Sequence, residues 1–330
     1  MKALKIKESS QPKYKQIVAY IEDQIASKAL LVGDKLPSLN QIKEEQGLSR
    51  DTVLMAFNEL KNRGVIQSVV GKGYYVLSHD IQPTQKLFLL FDELNPFKEV
   101  LYNAIIEHLA DKIQVEVFFH HFNPTVFHKL IQDSVGLYHH YVIMPGNLEN
   151  THLSIQSLPE DKVYVLDQIH QNLTKYAAIY QDFENDIYRG LSSLKDSLEN
   201  YQRLHLIASQ KQPSSLKDGF SKFCEEFGFE YEVHTSLDDQ VLELHEAYLV
   251  FEDQDLIELI KKSRARGWQL GKEIGMVSYN ETPLKEVIEN GITTMSTDFY
   301  EMGTELVQMI QSGSKKQLKN KFTIYKRNSL

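Results

Sequence analysis

The chain has 330 residues, 42% of them apolar and 25% charged, with a formal net charge of −9. That length suits about two domains, and the composition is that of a folded protein, which excludes a wholly disordered, collagen-like or membrane-embedded chain. The acidic sum disguises an uneven distribution: residues 1–79 carry 12 Lys and Arg against 8 Asp and Glu, and the remainder 24 against 37. A small basic head on a large acidic body points to nucleic acid at one end. The single cysteine, Cys224, cannot close an intramolecular disulfide, so no oxidising compartment is implied. The first residues (Met1, Lys2, Lys5, Lys7, Glu8) lack the apolar run of a signal peptide. The run Leu87-Phe88-Leu89-Leu90-Phe91 is strand-sized, far short of the roughly 18 apolar residues a membrane span needs. A cytoplasmic location without membrane contact is expected.

In chain order, residues 14–31 place Tyr14, Ile17, Val18, Ile21, Ile25 and Leu31 at helical spacing, which predicts an amphipathic helix. Gly33-Asp34 and Leu36-Pro37 break it. Ser38, with Gln41 after it, has the spacing of a capping box and starts a short second helix that stops at Gly47. Ser49 caps a third helix whose inner face is Val53, Ala56, Phe57 and Leu60, joined by Leu48; Gly64 ends it. Two short strands, 65–67 and 74–77, flank the tip Val70-Gly71-Lys72-Gly73. Three helices and a hairpin make a winged helix-turn-helix. Such a unit reads DNA with the amino end of its last helix in the major groove. Ser49, Arg50, Asp51 and Thr52 therefore face DNA, with Arg50 suited to the paired acceptors of guanine and Thr52 to a base edge or a thymine methyl. Ser38 suits a phosphate, where helix N–H groups add attraction. Gly71, Lys72 and Gly73 form a tight turn that brings one cation to the neighbouring groove. Lys61 and Arg63 either reach the DNA or form a solvated helix end.

Residues 79–86 are polar, contain Pro83 and read as a linker. From residue 87, short β-branched or aromatic runs (87–91, 114–119, 140–144, 162–167, 176–180, 203–208, 229–233, 247–251, 274–279, 292–296, 321–326) alternate with helix-sized segments (96–112, 124–134, 183–200, 214–227, 253–266, 298–312). The fold class is α/β, with parallel sheets covered by helices. About eleven strands suit two smaller sheets better than one. The predicted body is two-lobed, with a sugar-sized cleft where the strand ends meet. Residues at those ends can pair with sugar hydroxyls: Asp92 and Asn95, Asp167, Tyr180 and Asp182, Glu252 and Asp253, and Asn280. A helix N-cap is the alternative role for each carboxylate. The pairs His120-His121 and His139-His140 cannot chelate, since strand neighbours point to opposite faces; solvated strand ends account for them, and no metal is expected. Cys224, among Phe220, Phe223 and Phe227, reads as core rather than nucleophile. The spacing Gly71-x-Gly73 is neither a dinucleotide fingerprint nor a P-loop. No cofactor and no catalytic residues are expected.

The run Pro12-Lys13-Tyr14 through Gly33-Asp34-Lys35-Leu36-Pro37-Ser38, then Gly47-Leu48-Ser49-Arg50-Asp51-Thr52-Val53 and Gly71-Lys72-Gly73-Tyr74-Tyr75-Val76, resembles the GntR-family winged helix over about residues 10–78. The resemblance implies that Arg50 and Thr52 enter the major groove and that Gly71 and Lys72 touch the minor groove. The chain departs from the family at Asn40, often arginine there, and at Leu54, often basic, so affinity leans on Arg50, Lys61, Arg63 and Lys72. Leu249-Val250-Phe251-Glu252-Asp253, Glu273-Ile274-Gly275-Met276-Val277-Ser278-Tyr279-Asn280-Glu281-Thr282-Pro283 and Ile292–Asp298 resemble the effector domain of LacI/GalR-type repressors. That implies a periplasmic-binding-protein-like fold, with effector contacts at Asn280 and Glu252 and an aromatic one near Tyr180. The family's arginine falls on Leu216 here, with Lys217 beside it. The combination is similar to arabinose repressors. The implied protein is a homodimeric repressor of carbohydrate-utilisation genes that a small sugar releases from a near-palindromic double-stranded DNA operator. A GntR-headed enzyme fusion, or a sugar-binding protein without allosteric DNA release, is the alternative.

Overall fold

The computed structural model describes residues 12–79, 85–109, 113–237 and 242–330. Helix α1 (Lys13–Ala26) buries Ile17, Val18, Ile21 and Ile25, the apolar stripe of its sequence. It ends five residues earlier than the periodicity suggests. Lys28 takes a positive φ of 58°, the chain turns, and Leu30 enters the core while Leu31 is exposed. Helix α2 (Leu39–Gln46) starts at Ser38, whose hydroxyl accepts from the Gln41 N–H at 3.1 Å. Only half of the capping box forms, since the Gln41 side chain bonds Glu45 instead. Gly47 closes the helix in the left-handed region at φ 61°, a conformation that costs glycine nothing. Helix α3 (Arg50–Asn62) is capped by Ser49, which accepts from the Thr52 N–H at 3.1 Å. Val53, Ala56, Phe57 and Leu60 of α3 join α1 in one core. Strands β1 (Ile66–Val69) and β2 (Gly73–Val76) pair antiparallel as the wing. The linker expected at 79–86 falls largely on residues 80–84, outside the described residues.

The described residues up to 87, with 113–115 and 137–139, form one compact unit; 88–109, 116–136 and the residues from 140 onward form the other. After the wing come β3 (Gln85–Phe91), α4 (Pro96–His108), β4 (Ile113–Phe119), α5 (Pro124–Ser134), β5 (His140–Ile143), α6 (Thr151–Ile155), β6 (Val163–Asp167) and β7 (Ala177–Tyr180). Next follow α7 (Phe183–Leu198), β8 (Arg203–Ile207), α8 (Ser214–Phe227), β9 (Glu230–His234), β10 (Glu246–Val250), α9 (Asp253–Ala265), β11 (Gly275–Tyr279), α10 (Pro283–Val287) and β12 (Thr293–Thr297). The chain closes with α11 (Phe299–Ser312), β13 (Gln317–Lys319) and β14 (Phe322–Tyr325).

These strands make two six-stranded sheets, ordered β13-β7-β6-β5-β3-β4 and β14-β12-β11-β10-β8-β9. The chain passes between lobes after β7, after β12 and again after β13. Strand β13, absent from the sequence expectation, is three residues long and mostly polar, too short to show alternation. Phe220, Phe223 and Cys224 lie in the second lobe's core, where burial raises the Cys224 thiol to about 12. Of the histidine pairs, His120 departs from the solvated role. It is fully buried, its Nε2 lies 3.0 Å from the Met144 carbonyl, and burial lowers its pKa.

Candidate functional site

In the winged helix, Ser38, Asn40, Ser49, Arg50 and Asp51 are exposed and Thr52 is half-buried. Thr52 Oγ1 sits 2.8 Å from Ser49 Oγ, so the cap fixes the amino end of α3 while Arg50 projects from its first position. The side chains of Ser38 and Ser49 thus perform capping, which orients both helix starts. At the wing, Gly71 and Gly73 have φ of 72° and 111°, and Val70, Gly71 and Lys72 are exposed. A Cβ on Gly73 would lie 3.3 Å from Lys35 Cε, which adds Lys35 to the cations at the wing. Lys61 is exposed. Arg63 turns inward: its guanidinium bonds Glu22 and reaches Glu59 at 3.3 Å. Its place is an α1–α3 clamp, shared with Lys15 and Glu59 at 2.9 Å, where the sequence left open a DNA contact or a solvated helix end.

The second candidate is a cleft in the body holding about 640 Å³ of empty space, part of it open to solvent. The carboxyl ends of β3, β6, β7, β10 and β11 converge on it, and Asp92, Asn95, Asp167, Glu252 and Asn280 all line it. Such convergence is the expected position of a ligand site in parallel α/β sheets. Asn95 caps α4, accepting from the Lys98 N–H at 3.1 Å. Glu252 accepts from Gln212 Nε2 at 2.8 Å rather than capping α9. Tyr180 and Asp182 face a neighbouring recess that shares Gln168, Gln181, Phe183 and Pro213 with the cleft. Asp182 is held by Lys319 at 3.0 Å; burial raises its pKa, and the Lys319 and Asn185 contacts more than offset this. Asp253 does not line the cleft: it pairs with the buried Lys285 at 2.9 Å. Of the residues expected at the effector, these three thus stand beside or behind the cleft rather than in its lining.

Three residues lining the cleft are backbone outliers, one of them Phe122 with φ 54°. Asp167 has φ 73° and Asn280 φ 62°, conformations that cost free energy and persist where the surroundings enforce them. For Asn280 the enforcement is visible: Lys285 Nζ donates to the carbonyls of Tyr279 and Asn280 at 3.0 and 2.8 Å. Asn280 Oδ1 is buried with no protein donor, so its acceptor capacity is unmet within the protein. Across the cleft, Tyr279 donates to Gln181 Oε1 at 2.9 Å, and Gln181 donates to Asp167.

Electrostatically, Lys98 is the centre of the cleft. It lies in the first turn of α4, buried, 3.3 Å from Asp92 Oδ1. Burial works against its charge, but Asp92 and Asp167 prevail and raise its pKa. For Asp167 burial dominates and raises the pKa despite Lys98 and Gln181. Phe97 and Phe299 stack with centroids 5.7 Å apart, and Phe122, Phe183 and Phe251 complete an aromatic wall. Leu216 lines the cleft where the resemblance would place arginine, and Lys217 does not; the cations present are Lys98 and Lys211. The sequence expectation considered strand ends only and missed Lys98, Gln181, Gln212 and Tyr279. Lys98 follows the predicted first strand by seven residues, at the helix start that such a strand feeds, and that was the available signal.

The fold and these sites define a winged helix-turn-helix protein with a two-lobed, periplasmic-binding-protein-like body. Residues 13–76 match the bacterial regulatory proteins of the gntR family, and residues 199–323 match the periplasmic binding protein-like domain. The HTH-type transcriptional repressor YtrA of Bacillus subtilis is 30% identical over 99 residues, spanning 30% of this chain and 72% of the relative. The chain belongs to the gntR family of bacterial regulatory proteins. An uncharacterised HTH-type regulator of B. subtilis, YdfD, is 35% identical over 68 residues, 21% of this chain and only 14% of the relative's length. A periplasmic binding protein/LacI transcriptional regulator from Alkaliphilus metalliredigens, solved with D-xylulofuranose, superposes with a TM-score of 0.61. It is 14% identical and covers 74% of this chain and 98% of its own. That likeness shows the body's fold.

Proposed function

We propose that the protein is a sequence-specific transcriptional repressor of carbohydrate-utilisation genes, acting in the cytoplasm without enzymatic activity. In this reading residues 1–78 read double-stranded operator DNA, 79–86 link, and 87–330 bind a small sugar and dimerise. One observation carries it: a single chain joins an exposed, capped recognition-helix start to a cleft with the polar and aromatic lining of a sugar site. Planar polar groups (Asp92, Asp167, Gln181, Asn280) suit paired hydroxyls, and the Phe97, Phe183 and Phe251 rings suit the C–H face of a sugar. The bound sugar seen in the structurally similar regulator supports the same class of ligand.

The DNA contacts are Arg50, Thr52 and Asp51 at bases, Ser38, Asn40, Ser49 and Lys61 near phosphates, and Gly71, Lys72 and Gly73 in the minor groove. A homodimer places two heads on a near-palindromic operator. Exposed Leu94, Val100 and Ile106 around α4 supply apolar surface for a second copy. Fluorescence anisotropy with the promoter DNA upstream of the protein's own gene, titrated across pentoses, hexoses and their phosphates, tests the reading. Release by at least one sugar that also raises thermal stability is expected; DNA affinity unchanged by every sugar that binds would overturn it.

A further inference from the structure

A second constellation lies away from the cleft, on the face of the second sheet where β9 is the edge strand. His205 of β8 pairs across the parallel ladder with Glu232 of β9, and His234 follows two residues on. All three side chains share one face, because strand residues two apart point the same way. We propose that His205 Nδ1, His234 Nε2 and Glu232 Oε2 form a site for one divalent transition-metal ion of the zinc class, its remaining position open to water.

The geometry is close to what such an ion requires. His205 Nδ1 and His234 Nε2 are 3.1 Å apart, and His234 Nε2 and Glu232 Oε2 are 3.4 Å apart; one ligand atom from each residue lies within 4.8 Å of the other two. Ligands at about 2.0–2.1 Å around a tetrahedral ion stand ~3.3 Å from one another. The surroundings also prepare the ligands. His205 Nε2 lies 2.9 Å from Glu246 Oε2; Nε2–H donates to the carboxylate and leaves the Nδ1 lone pair facing His234, the arrangement that orients metal-bound histidines. Tyr248 stacks on His205 with centroids 4.6 Å apart and donates to Glu246 at 2.9 Å, fixing the ring and its partner. Arg203 lies 3.2 Å from the other Glu232 oxygen, Oε1, leaving Oε2 towards the histidines. His205 is buried while Glu232 is half exposed, which gives an ion an entry path. A bound ion would fasten the edge strand β9 to β8.

The test uses tag-free full-length protein stripped with EDTA and freed of chelator, titrated calorimetrically with Zn²⁺ and followed by visible absorption with Co²⁺. One equivalent should bind, with Co²⁺ d–d bands of a four- or five-coordinate site and a Tm rise that EDTA reverses. His234→Gln and Glu232→Gln change the less buried ligands and should each weaken binding by roughly tenfold or more. Absence of a one-equivalent site in the native protein overturns the proposal without any variant. So does a one-equivalent site that both substitutions leave unchanged, which would place the ion elsewhere.

Discussion

Arg50 occupies the first position of α3 with its side chain exposed, so truncating it removes almost nothing from the fold and, in the proposed function, one DNA contact. Arg50→Ala should leave thermal unfolding within about 0.5 kcal/mol of the native protein and weaken specific operator binding by about 1–3 kcal/mol. Parallel unfolding and anisotropy titrations separate the two, and unchanged operator affinity would remove Arg50 from the readout. Asp167 illustrates the opposite balance. With Asp92 and Lys98 it forms a buried group of two carboxylates and one ammonium, one negative charge in excess. Burial raises its folded pKa above the ordinary 3.8, so the folded state holds the proton more tightly than the unfolded chain. Stability from this residue is therefore present below that ordinary value and is lost as pH rises through the folded pKa. Asp167→Asn should match the native protein in acid and become more stable than it as the pH approaches neutrality. It should bind effector at least ~10-fold more weakly, since an acceptor pair is gone. Unfolding midpoints from pH 4 to 7 test the sign. The sequence suggested Asp167 because a strand ends on it. It could not show Lys98 beneath it, since that contact depends on how α4 leaves β3.

At the scale of elements, the local chemistry was largely readable. Ser38, Ser49 and Gly47 mark helix limits through hydrogen bonds and backbone angles that reach only a few residues along the chain. What escaped depended on contacts distant in sequence. Leu30 rather than Leu31 enters the core because the chain reverses at Lys28. Arg63 points inward because Glu22, 41 residues earlier, lies across from it. Strand β13 exists because β7 offers it an edge. Helix packing adds a test that no local pattern suggests. A Cβ on Gly219 in α8 would fall 2.3 Å from the Glu184 carbonyl oxygen of α7, a backbone atom that cannot swing aside. Gly219→Ala should cost about 1–3 kcal/mol through strain, despite alanine's better helix propensity. Denaturant unfolding checks it, and a neutral or stabilising result would mean the two helices separate freely.

For the whole molecule, the charge partition acquires a function. The net −9 is the sum of an acidic body, 24 Lys and Arg against 37 Asp and Glu, and a head with 12 against 8. An acidic body repels the polyanion, so in the proposed function weak binding to arbitrary DNA is suppressed and affinity rests on a few head contacts and on pairing two heads. A protein built this way is sensitive to any ligand that alters the pairing, because losing one head's contacts forfeits most of the affinity. Linkage makes the idea quantitative. If sugar in the Asn280–Asp167 cleft lowers operator affinity by some factor, operator must lower sugar affinity by the same factor. Typical couplings are about 1–3 kcal/mol, or roughly 5–150-fold. Sugar titrations of free protein and of protein saturated with a two-half-site operator should therefore give dissociation constants whose ratio equals the shift in DNA affinity. A half-site duplex, which one head can satisfy, should show little of it. Equal coupling on half and full sites would place the switch within a single head rather than in the pairing of two.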